Sequence, residues 1–282
     1  VQTRCVEVLH RAATTELRSA TSLSHDRATL PRFTVPPRFY VELPLVSGAT
    51  LDLPPGPARH VQVLRLQPGA ALTLFDGRGG EWQAQVARMG RSEVQLLVGN
   101  HLAVDRELAS NVTLALGMPA NDRMDTLVEK ATELGVATIQ PLLCERSVMR
   151  LSGERAERKV AHWRGVAVAA CEQSGRTRVP QVHDMVSLAS WLQTGALATG
   201  AARVLLSLRD ARPWVGLGNP GADVVCLSGP EGGLTAAEEA AARVAGFEAV
   251  SLGPRVLRAD TAPLALLAQL GLLGARPSHE AP

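Results

Sequence analysis

The chain is 282 residues long, 46% hydrophobic and 20% charged, with a net charge of +2. At roughly 150 residues per domain this length predicts about two domains, and the composition excludes both a disordered chain and a repetitive fibre. The longest apolar run, Ala262 to Ala275, is broken by Gln269 and two glycines and is shorter than the roughly 20 residues a bilayer crossing needs, so no membrane partner is expected.

Residues 1–36 are polar, carry five arginines and three acids, and have neither a periodic apolar face nor a signal-peptide core. They read as a disordered extension, with a targeting segment as the alternative. From residue 37 to 105 the pattern predicts a small β-barrel built from the strands Arg38–Glu42, Ala71–Phe75, Glu81–Val86 and Glu93–Val98. Asp76-Gly-Arg-Gly-Gly80 forms a hairpin turn between two of them, and Pro57–Leu66 supplies one short helix with His60 near its start.

Residues 106–282 follow a strand, helix, strand rhythm. Val112–Leu116 and Val136–Gln140 read as buried strands, separated by the helical stripe Met124, Leu127, Val128, Ala131 and Leu134, which stops at Gly135. A longer helix follows from about Glu154 to Glu172, and further strands are expected at Arg203–Leu208, Asp223–Ser228 and Ala249–Leu252. Such alternation predicts an α/β domain with a parallel sheet covered on both faces, whose ligands sit beyond the C-terminal ends of the strands.

Two strand-to-helix loops stand out. Leu227-Ser-Gly-Pro-Glu-Gly-Gly-Leu-Thr-Ala-Ala-Glu238 joins a strand to a helix capped by Thr235 and Glu238 at capping-box spacing. Its glycines let a ligand approach the backbone at a helix N-terminus, although the loop matches neither a Walker loop nor a dinucleotide fingerprint. Leu252-Gly-Pro-Arg-Val-Leu-Arg-Ala-Asp-Thr-Ala262 also follows a strand, carries Arg255 and Arg258, and ends where Asp260 and Thr261 cap an apolar helix from Pro263 to Leu273. That helix is apolar on more sides than a surface helix tolerates, so its own sheet and a second copy of the chain are expected to cover it. A third stretch, Cys171-Glu-Gln-Ser-Gly-Arg176, closes a run in which eight basic residues between 145 and 178 face four acids. A solvated helix face explains such a run, and so does a phosphate backbone.

The four cysteines, Cys5, Cys144, Cys171 and Cys226, are far apart in sequence. Their spacing fits buried thiols in a reducing cytoplasm, and no metal site is expected. The bias of 27 arginines against Lys130 and Lys159, with Ile139 the single isoleucine, reflects GC-rich codon usage and carries no functional weight.

Taken in order, Asp122-Arg-Met-Asp125, Glu129-Lys-Ala-Thr-Glu-Leu-Gly135, Glu172-Gln-Ser-Gly-Arg176, Gly229-Pro-Glu-Gly-Gly233 and Leu252-Gly-Pro-Arg-Val-Leu-Arg258 resemble the RsmE family of 16S ribosomal RNA uridine N3-methyltransferases. The ordered match runs from about Arg38 to Ala275 and includes Arg38-Phe-Tyr40 and Val63-Leu-Arg-Leu66. The resemblance implies a PUA-like RNA-binding first domain, then a SPOUT methyltransferase domain whose C-terminal trefoil knot holds S-adenosylmethionine, in a homodimer acting on 16S rRNA or the small ribosomal subunit. Where the family usually continues Thr-Glu-Thr-Ala, this chain has Ala259-Asp-Thr-Ala262, which removes a hydroxyl and draws the carboxylate back by one methylene.

On that reading the cofactor residues are Leu206, Ser207 and Leu208, then Gly229, Pro230, Glu231, Gly232 and Gly233, then Leu252, Gly253, Val256 and Leu257. Methyl transfer needs the acceptor nitrogen held in line with the methyl group. Uridine N3 must also lose a proton, so Arg258 is expected to stabilise the uridine anion, with Glu231, Glu172 and Asp260 as candidate bases. Arg38, Arg65, Arg78 and Arg176 are the expected RNA contacts. A SPOUT enzyme methylating a ribose 2′-hydroxyl and a non-catalytic RNA-binding assembly factor are the alternatives.

Overall fold

A computed structural model of the chain describes residues 36–91, 93–120, 122–194, 200–216 and 222–273. The extension expected at residues 1–36 lies outside them except for Pro36.

The first sheet contains β1 (Arg38–Tyr40), β2 (Thr50–Asp52), β3 (Ala71–Phe75), β4 (Glu81–Met89) and β5 (Val94–Leu102), in the spatial order β1-β3-β4-β5-β2. Alternation along the strands sends Leu72, Leu74, Ala84, Val86, Val94, Leu96 and Val98 into one core. Two register shifts between β4 and β5 add the local twist that curls the sheet around it. Helix α1 (Pro55–Val63) closes this core with Ala58 and Val61. It begins earlier than the sequence pattern suggests because Pro54 and Pro55 form its entry, where a missing N–H costs no hydrogen bond. It stops before Arg65, whose φ of 54° is left-handed, so His60 stands in the last turn, its ring 5.2 Å from that of Phe39.

The second sheet comprises β6 (Val112–Gly117), β7 (Thr138–Leu143), β8 (Gln181–Val182), β9 (Val186–Ser187), β10 (Ala202–Leu206), β11 (Arg212–Pro213), β12 (Val224–Ser228) and β13 (Glu248–Ser251). Its order is β11-β13-β10-β12-β6-β7-β8, with β9 also on β7, and all its pairs are parallel. Adjacent residues of one strand serve opposite cores. In β12, Val224 and Cys226 pack against α2 (Asp122–Glu133), α3 (Glu154–Ser174) and α6 (Thr261–Leu273), while Val225 and Leu227 pack against α4 (Leu188–Gln193) and α5 (Ala236–Val244).

Asp125, part of the resemblance motif, ties α2 to α3. Its carboxylate accepts hydrogen bonds from Lys159 Nζ and from the indole N–H of buried Trp163, both at 2.8 Å, and lies 2.8 Å from His162 Nε2. Helix α6 is more self-contained than its sequence implies: Leu266, Leu267 and Leu270 enter the chain's own core, while Leu272 is 81% exposed.

Candidate functional site

In the sheet β10 lies between β13 and β12, and the three run in the same direction. Their C-terminal ends therefore open onto one place, although the strands are separated in sequence. The loops that leave them enclose a cavity of about 260 Å³. Its walls bring together Leu206, Ser207 and Leu208 from the first loop, Gly229 through Gly233 from the second, and Leu252, Val256, Leu257 and Arg258 from the third. Gly253 is off the wall; its φ of 96° makes the turn that carries the third loop past the strand end.

Each loop is fixed by local chemistry. Ser207 donates its amide to the Val250 carbonyl at 3.0 Å, and its hydroxyl donates to Glu239 at 3.2 Å while accepting the Arg209 amide at 3.0 Å. The glycine loop closes through Gly233 N–H to the Pro230 carbonyl at 2.8 Å and runs into the Thr235–Glu238 capping box, as the sequence spacing predicts. Outside contacts then hold it. Arg146 Nη1 donates to the Gly232 carbonyl at 3.0 Å, and the Glu145 amide donates to Glu238 at 2.8 Å. Glu231 Oε1 accepts the Ala120 amide at 2.9 Å and Arg123 Nη1 at 3.4 Å. In the third loop, the Arg258 carbonyl accepts the amides of Thr261 and Ala262 at 3.0 and 3.1 Å, which caps α6. Among the described residues the amides of Gly232, Val256 and Leu257 donate to no backbone carbonyl. The cavity thus offers free N–H donors to a ligand rich in acceptors.

Arg146, Arg209, Arg255 and Glu239 line the same cavity, and of these only Arg255 lies in a stretch expected to reach it. Arg255 was visible in its motif. Arg146 belongs to a basic run with no sequence feature linking it to a loop 86 residues away, and Glu239 resembles any acid in a first helical turn.

Glu172 does not reach this cavity within one chain. Its carboxylate accepts the Tyr40 amide at 2.9 Å where β1 meets the end of α3, and burial pushes its carboxyl above the usual range. Arg38 and Arg176 occupy the same junction. Arg38 pairs with Glu81 and donates to the Arg176 carbonyl at 3.1 Å. The Arg176 side chain is 4% exposed; it pairs with Glu107 and donates to the carbonyls of Thr132 and Val136, both at 2.9 Å. These two arginines, expected at an RNA face, are matched with acceptors at the junction of the first sheet with the second. Arg65 and Arg78 are exposed.

Cys144, Cys171 and Cys226 are free and buried, and burial pushes the Cys144 and Cys171 thiols up to about 12. Among the described residues no group of three His, Cys, Asp or Glu side chains could hold a metal ion, and no helix is long and apolar enough to cross a membrane.

Comparison with known proteins agrees with this architecture. Residues 106–271 match the family model of an RNA methyltransferase domain, and residues 58–99 that of an RNA methyltransferase PUA domain. The chain is 34% identical to the ribosomal RNA small subunit methyltransferase E of Synechocystis sp. over 90% of its own length and 84% of that protein. It is 28% identical to the protein of the same name from Bacillus subtilis, over 83% of this chain and 95% of the relative. Among solved structures, the Neisseria gonorrhoeae ribosomal RNA small subunit methyltransferase E bound to S-adenosyl methionine is 38% identical, with a TM-score of 0.80 over 84% of this chain and 98% of that one. A putative methyltransferase from Legionella pneumophila, in complex with bound SAM, is 32% identical with a TM-score of 0.79, over 84% of this chain and 97% of that one. Of the expected fold class, the parallel α/β sheet of an RNA methyltransferase domain behind a PUA-like domain is found. Sequence, domain content and fold agree, and the chain belongs to the RsmE family, that of the ribosomal RNA small subunit methyltransferase E proteins.

Proposed function

We propose that this protein methylates N3 of a uridine in 16S ribosomal RNA, using S-adenosylmethionine as methyl donor. The observation that carries the reading is the convergence of the loops after β10, β12 and β13 on one cavity, in a fold shared with a relative bound to that cofactor. The cavity suits the group: free amides on two loops meet acceptors, and close backbone packing at Gly229, where a Cβ would lie 2.9 Å from the Leu234 nitrogen, keeps the floor open. The cofactor residues in this reading are Leu206, Ser207, Leu208, Gly229 to Gly233, Leu252, Val256 and Leu257. When bound, the cofactor supplies an electrophilic methyl group. Arg258 holds negative charge on the uracil oxygens as N3 loses its proton. Glu231 is the one candidate carboxylate on the cavity wall; with Oε1 taken by Ala120 and Arg123, its Oε2 accepts that proton.

The same reading includes a trefoil knot at the cavity, a domain division near residue 105, a cytoplasmic location consistent with the free thiols, and RNA contacts through Arg65 and Arg78. It also includes a homodimer, supported by the 80% and 81% exposure of Val256 and Leu272. Two measurements test the function: calorimetry with S-adenosylmethionine, and nucleoside mass spectrometry of 16S rRNA from cells with and without the gene. N3-methyluridine present only with the gene is expected. A 2′-O-methyl nucleoside, or cofactor binding without any new nucleoside, refutes the assignment.

A further inference from the structure

If the cofactor reading holds, this cavity must serve two ligands of opposite charge. Four arginines line it, Arg146, Arg209, Arg255 and Arg258, against two carboxylates, Glu231 and Glu239. Glu231 is already paired with Arg123 at 3.4 Å. A surplus of positive charge suits an RNA acceptor. It opposes S-adenosylmethionine, whose sulfonium, ammonium and carboxylate sum to one positive charge, and it does not oppose the demethylated product S-adenosylhomocysteine, which sums to zero. Left unbalanced, the arginines favour retention of product over binding of fresh cofactor.

Glu239 offsets part of that surplus. It stands in the first turn of α5 and reaches the loop after β10, where Oε1 accepts the Ser207 hydroxyl at 3.2 Å. That contact anchors one oxygen. Among the described residues no lysine, arginine or histidine is ion-paired with Glu239, and Oε2 receives no hydrogen bond. Of the two carboxylates on the wall, it is therefore the one whose charge is not matched by a neighbouring cation.

We propose that Glu239 is a specificity-determining residue whose carboxylate offsets the cavity arginines and so sets the preference for S-adenosylmethionine over S-adenosylhomocysteine. Ser207 aims it, and the Arg209 amide in turn fixes the Ser207 hydroxyl.

Calorimetry on wild type and Glu239→Gln, with each ligand separately, tests this. The amide keeps an acceptor for Ser207 and removes only the charge. S-Adenosylmethionine should bind about tenfold more weakly to the variant, while S-adenosylhomocysteine changes by less than about twofold. Equal weakening of both ligands overturns the proposal, because it reduces Glu239 to a support for Ser207. A second variant gives an independent reading if the first does not fold: Glu239→Asp keeps the charge and should keep most of the wild-type preference between the two ligands, and loss of that preference in the folded Asp variant also overturns the proposal. A wild-type protein that binds neither ligand refutes the cofactor reading itself, and it does so without any variant.

Discussion

Gly117, at the end of β6, packs against Pro230 so closely that a Cβ on the glycine would lie 2.5 Å from the proline Cδ and 2.6 Å from its nitrogen. The glycine loop is thus seated on bare backbone, and its position depends on the absence of one methyl group. Gly117→Ala should push the loop outward, cost about 1–3 kcal/mol of stability by overpacking, and weaken S-adenosylmethionine binding more than stability alone explains. At Gly232, a Cβ would meet Arg146 Cβ at 3.0 Å on the exposed side of the loop. Gly232→Val must displace Arg146, which lines the cavity and holds this loop, and it also restricts the loop backbone, so it should abolish cofactor binding with little change in melting. Calorimetry beside thermal melts checks both, and unchanged affinity in a folded Gly232→Val protein removes this loop from the site.

Glu231 is anchored at one oxygen by the Ala120 amide. Glu231→Gln keeps an acceptor for that amide but cannot take a proton. Its expected behaviour is a fall in single-turnover methylation of about 100-fold or more at nearly unchanged cofactor affinity, the size typical of a lost general base. Glu231→Ala should lose affinity as well, since the loop then loses its hydrogen bonds to the Ala120 amide and to Arg123. If the Gln variant turns over like wild type, Glu231 is a brace and the proton leaves to water.

The long elements and two of the three cavity loops were legible in the sequence because local spacing encodes them. Thr235 and Glu238 announce the start of α5, and glycine or proline follows the ends of β12 and β13. Strand order was not legible: nothing local says that β10 lies between β13 and β12, which is what gathers the loops. Nor was the fate of individual charges. Arg176 reads as one more cation in a basic run until its acceptors appear, and these come from residues 107, 132 and 136. The two-residue strands β8, β9 and β11 are too short to show a period.

The two kinds of arginine should separate experimentally. Arg176→Ala leaves the Glu107 carboxylate without its cation and the Val136 carbonyl without a donor, and should cost about 3–5 kcal/mol of stability. Arg78 is exposed at a hairpin tip. Arg78→Ala should leave stability within about 0.5 kcal/mol while lowering the slope of log affinity for RNA against log salt by about one. Urea titrations and salt-dependent RNA binding read the two effects. A stable Arg176→Ala protein with a reduced salt slope reverses the assignment.

Asp125 makes stability depend on pH in a definite direction. Burial alone raises its carboxyl, but Lys159, His162 and Trp163 outweigh burial and hold it below its ordinary value of 3.8. A carboxyl depressed in the folded state binds protons more weakly there than in the unfolded chain. Its contribution is therefore present above about 3.8 and is lost as pH falls through the lower folded value. Asp125→Ala should be less stable than wild type by about 1–3 kcal/mol at neutral pH, since it leaves the buried Trp163 indole without an acceptor. The gap should narrow in urea titrations taken from pH 5 to pH 3. A gap that stays constant over that range assigns the loss to packing rather than to charge.

Arg258 does two separable jobs. Its carbonyl caps α6 through Thr261 and Ala262, and a substitution of the side chain leaves that intact. Its side chain lines the cavity and, among the described residues, has no carboxylate partner. Arg258→Ala thus tests the charge alone. A guanidinium that stabilises the uridine anion acts mostly in the transition state, so single-turnover methylation should fall by about 100- to 1,000-fold while cofactor affinity does not weaken. Arg258→Lys should restore part of the rate, because it keeps the charge but not the planar fork that can bind two oxygens. Raising the pH should also rescue the Ala variant more than the wild type, since uridine that ionises without help depends less on a protein cation. An Arg258→Ala protein with normal turnover at neutral pH and the wild-type pH profile removes the side chain from the chemistry and leaves Arg258 as the cap of α6.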